Sequence, residues 1–589
     1  MCRFTTIVKL KEKTVEMSGD GSNQPVFDEG KTLSIVFDGE IYNLKALKKE
    51  LRCDEPPDGL QTDAGLILSG YRQWGIEQLL HRLDGAFAFT LHDRIDDTTY
   101  IVRDKFGITP LYYFQDSTGL YAASTLRLLS RHSFPKIISK EGLNLFFSLT
   151  YIPAPYTIYE NVFKLCAGQY ITIHNEQTLL KSYYRLEDHI RPSAMKFEQA
   201  KHQLRRLVTD SVKNMMETER PTGVLLSGGI DSCIVAGVLS QHSPQPVPTF
   251  SIGFKAKELD ESDRAQLVSD AFHTDHTVHF LDFADVSDVI DDMIRYFDEP
   301  FADSSAIPTY YAAKLAGEKV QAVFTGDCAD ELFGGYKKYL SEHNIKNYLR
   351  VPKPVRCLFE KMMDRMPGLT EKFPVLRKMK RLVSAAAVSK FEVNYQYMCI
   401  GCNDQVRARL IRPGFYTDIK PVIEQTYQKF ANSDVINAAM YTDMSVSLEG
   451  DMFPKMERMC SMNALTARSP FSTAELFHFA MSLPAAFKVR GKKKKYILRE
   501  AFKDLLPSKI YQTNRKQGFS APVAHWLRNE LAQDLTRLTD KDTITRQGVL
   551  DDETVAGLVA QHLHGKADHS SLLWALLVFQ KWYEKNISV

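Results

Sequence analysis

The chain has no apolar stretch long enough to cross a bilayer, and its opening Met1-Cys2-Arg3-Phe4 lacks the apolar core of a secretory signal. A cytoplasmic location without a membrane partner is therefore expected. Net charge is nearly absent: 74 lysines and arginines face 72 aspartates and glutamates. No global field recruits nucleic acid, so any phosphate binding must be local. Cysteine is sparse, nine scattered over 589 residues, which is no disulfide framework and suits a reducing compartment. Only Cys399 and Cys402 form a C-x-x-C pair. With no second pair or nearby histidine to complete a zinc site, ordinary burial is the expectation. Internal repeats are lacking, and the one low-complexity feature is the lysine run 492–495.

What is present points to at least two domains, since a chain of this length exceeds one hydrophobic core. Up to about residue 185 there are short apolar runs, such as Leu33-Ser34-Ile35-Val36-Phe37 and Ala86-Phe87-Ala88-Phe89, punctuated by Gly, Asp and Pro. This is the texture of a strand-rich domain. After a polar stretch at Asp188 to Ser193 an amphipathic helix is expected over Phe197 to Met216, followed by a buried strand at Val224-Leu225-Leu226. Further strands at Thr249 to Phe254 and Val320 to Phe324, separated by helical stretches, give the rhythm of a parallel α/β sheet. Beyond Ser341 the pattern is mainly helical.

The most informative motif is Ser227-Gly228-Gly229-Ile230-Asp231-Ser232, between an apolar strand and the helical Ile234-Val235-Ala236-Gly237-Val238-Leu239. Two glycines at a strand-to-helix turn let backbone N–H groups approach a phosphate chain at the positive end of the helix. Asp231 is then placed to hold magnesium on those phosphates. A second cluster, Thr325-Gly326-Asp327-Cys328-Ala329-Asp330-Glu331, follows the third strand. Ligands bind beyond the carboxyl ends of strands in open α/β sheets, so both loops should face one crevice, with Asp330 joining Asp231 on the metal.

Leu225 to Ser232, Phe250 to Phe254, Asp298 to Asp303, Thr325 to Tyr336, Lys494 to Glu500 and Lys516 to Phe519 resemble, in order, successive blocks of the glutamine-dependent asparagine synthetase family. The resemblance implies an Ntn-hydrolase-like α+β sandwich over 1–187, shortened. An α/β pyrophosphatase-loop domain with a mainly helical C-terminal part would follow over 195–589. It implies ATP and Mg2+ as cofactors. Leu225 and Ile252 would line the adenine and ribose pocket, and Ser227, Gly228, Gly229, Ser232, Thr325 and Gly326 would contact the nucleotide. Asp231 and Asp330 would hold the metal, Lys495 would neutralise departing pyrophosphate, and Asp327 would take a proton from the attacking amine. The reaction is adenylation of a carboxylate and capture of the acyl-adenylate by ammonia. L-Aspartate is the default acid, and ammonia or glutamine the default nitrogen source. A homodimer is compatible with the resemblance.

Asp38 to Asn43, Leu83 to Phe89 and Arg103 to Tyr113 similarly resemble the glutaminase domain of that family, in which Cys2, N-terminal after loss of Met1, would be the nucleophile. Asp38, Gly39, Glu40 and Asp63 would fall in the glutamine site. The stretch between Cys2 and Asp38 is short, however, and lacks the family's Arg-Gly-Pro-Asp segment, so the arginine that would clamp the glutamine carboxylate is missing. Asp38 stands where the family has an asparagine that donates into the oxyanion hole, and an ionised aspartate cannot donate. Weak or absent glutamine hydrolysis is the expectation. On the acid side, Thr466 and Thr473 replace a usual glutamate and aspartate, which leaves room for another carboxylic acid or a ring-closing amine. A catalytically dead binding subunit is the reading from a different class, and the retained nucleotide motifs argue against it.

Overall fold

The computed structural model describes residues 3–587 apart from 11, 21–23, 52–61, 133, 217–220, 255–259, 341–347, 349, 353, 357–388, 431–433 and 513–520. Cys2 and the Lys516 to Phe519 block therefore lie outside the described residues.

The N-terminal strands form two antiparallel sheets. One has the order Thr14–Gly19, Phe4–Lys9, Gly119–Ala123, Tyr112–Gln115, Phe163–Lys164. The other runs Gln177–Ser182, Gln169–His174, Thr98–Arg103, Gly85–Asp93, Leu33–Ile41, Val26–Phe27. Strand alternation turns Phe4, Val8 and Leu120 of the first sheet toward Val36, Ala88, Ile101 and Ile171 of the second, giving a dry layer between them. The opposite face of the second sheet presents Ile35, Phe37, Phe87 and Phe89. It packs in a core with Leu47 of the helix Leu44–Leu51 and Ile67, Leu68 and Leu79 of the helix Asp63–Arg82. This is the expected α+β sandwich.

The second sheet system is parallel throughout, in the order Asp275–Leu281, Pro248–Phe254, Thr222–Leu225, Ala322–Phe324, Thr466–Arg468. Three of these strands were expected from apolar runs. The two at the edges were not: Asp275–Leu281 is interrupted by two histidines, and Thr466–Arg468 has only three residues. The helix Phe197–Met216 has the expected bounds and buries Ala200, Leu204, Leu207, Val208, Ser211, Val212 and Met215 at helical spacing. The region beyond Lys390 is mostly helical, as anticipated. It includes a ten-residue π-helix, Asp443–Met452, ahead of the helix Phe453–Ser461. No helix among the described residues is long and apolar enough to cross a membrane.

The two domains share a core. One apolar cluster runs from Phe87 and Phe89 through Tyr183, Tyr184 and Leu186 to Leu204, Val224 and Phe477. Buried ion pairs also cross between them. Arg103 meets Glu449 at 2.7 Å and Lys164 meets Glu299 at 2.6 Å.

Candidate active site

A cavity of about 1000 Å3 opens at the carboxyl ends of the parallel strands. Its wall includes Leu225, Ser227, Asp231, Ser232, Thr325, Gly326, Asp327 and Asp330, so both expected loops do face one crevice. Gly228 adopts φ +66°, and a Cβ there would lie 2.7 Å from Arg264 Cβ. Only glycine meets both demands. Arg264 in turn donates to the Gly228 carbonyl at 3.0 Å. Ser232 Oγ accepts from the Ser227 N–H at 3.3 Å and donates to the Gly229 carbonyl at 3.3 Å, bracing the turn. Gly229 is the N-cap of the helix Ile230–His242, whose first turn carries Asp231. Ile252 does not reach this wall. It is buried in the neighbouring apolar core, while Phe250 and Ser251 of the same strand line the cavity.

Lys495 joins the two loops. Its Nζ contacts Asp231 Oδ2 and lies 2.7 Å from Asp330 Oδ1, with all three side chains largely buried. The lysine reaches them from a left-handed backbone, φ +52°, at the N-cap of the helix Tyr496–Ala501. Cys328, which precedes the helix Ala329–Phe333, is also left-handed at φ +71°. Two non-glycine residues held this way beside one cavity mark backbone strain kept by the surroundings. Gly335 closes the cluster: a Cβ there would fall 1.5 Å from Asp330 Oδ1 and 2.4 Å from Lys495 Cε. The rest of the lysine run divides. Lys492 and Lys493 are exposed, whereas Lys494 donates to the Gly335 carbonyl at 2.6 Å.

Asp327 is fixed by its own loop. Its Oδ2 accepts from Thr325 Oγ1 at 2.8 Å, and its carbonyl accepts from Ser469 Oγ at 2.8 Å. Glu331 was not anticipated. It is buried on the cavity wall and accepts from the Tyr336 hydroxyl, and burial with the Asp330 charge pushes its carboxyl up to about 7. Asp303, Asp451 and Lys455 were missed as a cluster too, because Asp303 lies 152 positions from Lys455 and the i,i+4 pair of Asp451 and Lys455 alone reads as a surface charge pair. Thr466 and Thr473 are not on the wall. The first sits in the edge strand and the second is the N-cap of the helix Ala474–Ser482. The Cys402 thiol donates to the Phe147 carbonyl at 3.2 Å, and burial pushes both Cys399 and Cys402 up to about 12, so neither is a ready ligand.

In the N-terminal domain the expected glutamine residues have other partners. Glu40 forms a two-pronged ion pair with Arg468 of the edge strand, its Oε2 accepting from Nε at 2.8 Å. Asp63 Oδ2 accepts the Ile41 N–H at 3.0 Å. Gly39, at φ +133°, lies so close to the next strand that a Cβ would be 2.0 Å from the Ala86 carbonyl oxygen. Asp38 is buried, and its Oδ1 has no hydrogen-bond partner among the described residues. Burial and the Glu457 charge push its carboxyl up to about 7, against the pull of Arg458 and Arg3. Arg3 itself donates to Tyr296 and Ser461 of the second domain.

The family model described as asparagine synthase matches residues 203–584, and a glutamine amidotransferase domain model matches 13–184. The chain is 29% identical to asparagine synthetase [glutamine-hydrolyzing] 1 of Bacillus subtilis, covering 96% of this chain and 88% of that protein. It is 30% identical to a putative asparagine synthetase [glutamine-hydrolyzing] of Mycobacterium tuberculosis, over 93% and 84%. A fungal protein named amidase chyE, from Penicillium rubens, is 22% identical over 92% and 84%.

Proposed function

The chain belongs to the asparagine synthase family, and on that premise we propose that it is an ATP-dependent amidoligase converting L-aspartate to L-asparagine, with release of AMP and pyrophosphate. What carries the reading is Lys495 bridging Asp231 and Asp330, two carboxylates that line, beside a glycine turn, a cavity large enough for nucleotide and acid together. The substrate carboxylate attacks the α-phosphorus, the bond to the departing pyrophosphate breaks, and ammonia then displaces AMP from the acyl-adenylate. Backbone N–H groups of Ser227 to Gly229 receive the phosphate chain. Lys495 neutralises charge on the departing pyrophosphate, and Asp327 accepts the proton lost by the attacking amine.

Magnesium fits the residues present. Two carboxylates already converge on one cationic nitrogen, the space beside them is kept free of a Cβ at Gly335, and magnesium takes one or two carboxylates plus phosphate oxygens. Asp231 and Asp330 would hold it. Bound there, it would offset phosphate charge.

Ammonia is the nitrogen donor in this reading, and glutamine hydrolysis is weak. The engagement of Glu40 by Arg468 supports that. The test is pyrophosphate release from Mg·ATP and L-aspartate with ammonium chloride or L-glutamine, the product identified by mass. Asparagine from ammonium well above that from glutamine is expected. Equal rates would sink the glutaminase part, and ATP binding without pyrophosphate release would sink the choice of acid.

A further inference from the structure

The cavity wall carries a second charged cluster that the nucleotide site leaves unused. Asp303 precedes the helix Ala306–Gly317, Asp451 is the penultimate residue of the π-helix, and Lys455 belongs to the helix that follows it. All three line the cavity. Lys455 is buried, and its Nζ donates to Asp303 Oδ2 at 2.6 Å and to Ser305 Oγ at 2.9 Å. Asp303 also accepts from the Ser305 N–H at 2.9 Å and from its hydroxyl at 2.6 Å, so both its oxygens are engaged. Asp451 differs. It is 7% exposed, its Oδ1 stands 3.9 Å from Lys455 Nζ, and that oxygen accepts no hydrogen bond among the described residues. Ionised together, the two carboxylates would set two negative charges against one ammonium, an excess that either a proton or a bound cation must meet. Burial and the Asp303 charge hold the Asp451 carboxyl well above the usual range, a cost that a bound cation relieves.

We infer that Asp451 receives the ammonium group of an α-amino-acid substrate and is the residue that selects such acids over their deamino counterparts. The inference rests on the amidoligase reading of the same cavity. A divalent metal is disfavoured at this point because both Asp303 oxygens are already engaged by Lys455 and Ser305, which leaves Asp451 as a lone carboxylate ligand. The nitrogen nucleophile fits poorly as well: it must lose a proton before it attacks, and a buried carboxylate would hold it as ammonium. The α-ammonium of the acid substrate stays charged from binding to release, so a carboxylate can hold it throughout.

The experiment measures pyrophosphate release with saturating Mg·ATP and ammonium chloride for L-aspartate, L-glutamate, succinate and glutarate, in the wild type and in Asp451→Asn. Wild type is expected to prefer an amino acid over its deamino analogue by about a hundredfold in kcat/KM, the usual scale for a buried charge pair. In Asp451→Asn that preference collapses through KM of the amino acid, while KM for ATP and for ammonium stays put. A wild-type ratio near one overturns the inference without needing the variant to fold. So does a ratio that survives in Asp451→Asn, or a rise confined to KM for ammonium. If wild type releases no pyrophosphate with any of the four acids, the amidoligase reading fails and this subsite with it. Turnover with an unchanged ratio defeats the subsite alone.

Discussion

At the scale of single residues, Lys495 is the sharpest case. It holds two carboxylates that would otherwise repel each other in a buried site. Lys495→Met should lower pyrophosphate release by about a hundred- to a thousandfold, the usual loss for a group aimed at developing charge, with the fold retained by circular dichroism. Gly335→Ala should be as damaging, because a methyl group would overlap Asp330. Asp38 makes a prediction in pH. Its folded-state carboxyl lies near 7, above the unfolded value near 4, so the unfolded chain holds fewer protons between them. Its contribution to stability is therefore present below about pH 4 and is lost as pH rises to about 7, by at most about 1.4 kcal/mol per pH unit. Asp38→Asn should remove that slope, read as a difference in urea midpoints between pH 4 and 7. Identical slopes in both proteins would contradict the buried-acid account. The sequence could identify the aspartate and its inability to donate when ionised. It could not show Glu457 from the other domain beside it.

At the scale of elements, the helix Ile230–His242 presents the glycine turn at its N-terminus and packs tightly behind it. At Gly237 a Cβ would meet Phe272 Cζ at 2.7 Å and Leu505 at 3.0 Å. Gly237→Val should cost about 1–3 kcal/mol by overpacking, measured by denaturant unfolding, while KM for ATP changes little, since Gly237 is not on the cavity wall. The helix and its turn were legible because period, glycine pair and flanking strand all agreed. The edge strand Thr466–Arg468 was not legible. Three residues carry no period, and its place is set by pairing with Ala322–Phe324. That pairing puts the Arg468 carbonyl 2.9 Å from the Thr325 N–H and its guanidinium on Glu40. One short strand thus ties the nucleotide loop to the N-terminal domain. Arg468, two residues from Thr466 in the stretch expected on the acid side, is a brace between the two.

At the scale of the whole molecule, the two domains are joined by charges that neither could bury alone. Arg103 also donates to the carbonyls of Thr109, Gly107 and Leu165, so its guanidinium is held by backbone from one domain and by Glu449 from the other. Removing one partner strands the other. Glu449→Gln or Arg103→Met alone should cost about 3–5 kcal/mol, and the double variant Arg103→Met with Glu449→Leu less than the sum of the two. A double-mutant cycle by urea unfolding checks this, and strict additivity would deny the coupling. The sequence by itself determined the order of domains, the strand-rich first half, the glycine turn and the acids of the nucleotide loops, because those rest on local period and spacing. Only the tertiary structure decided that Lys495 bridges Asp231 and Asp330, that Glu40 is held by Arg468, and that Asp303, Asp451 and Lys455 meet on one wall. Burial and charge pairing join residues hundreds of positions apart, and nothing in a linear spacing records that.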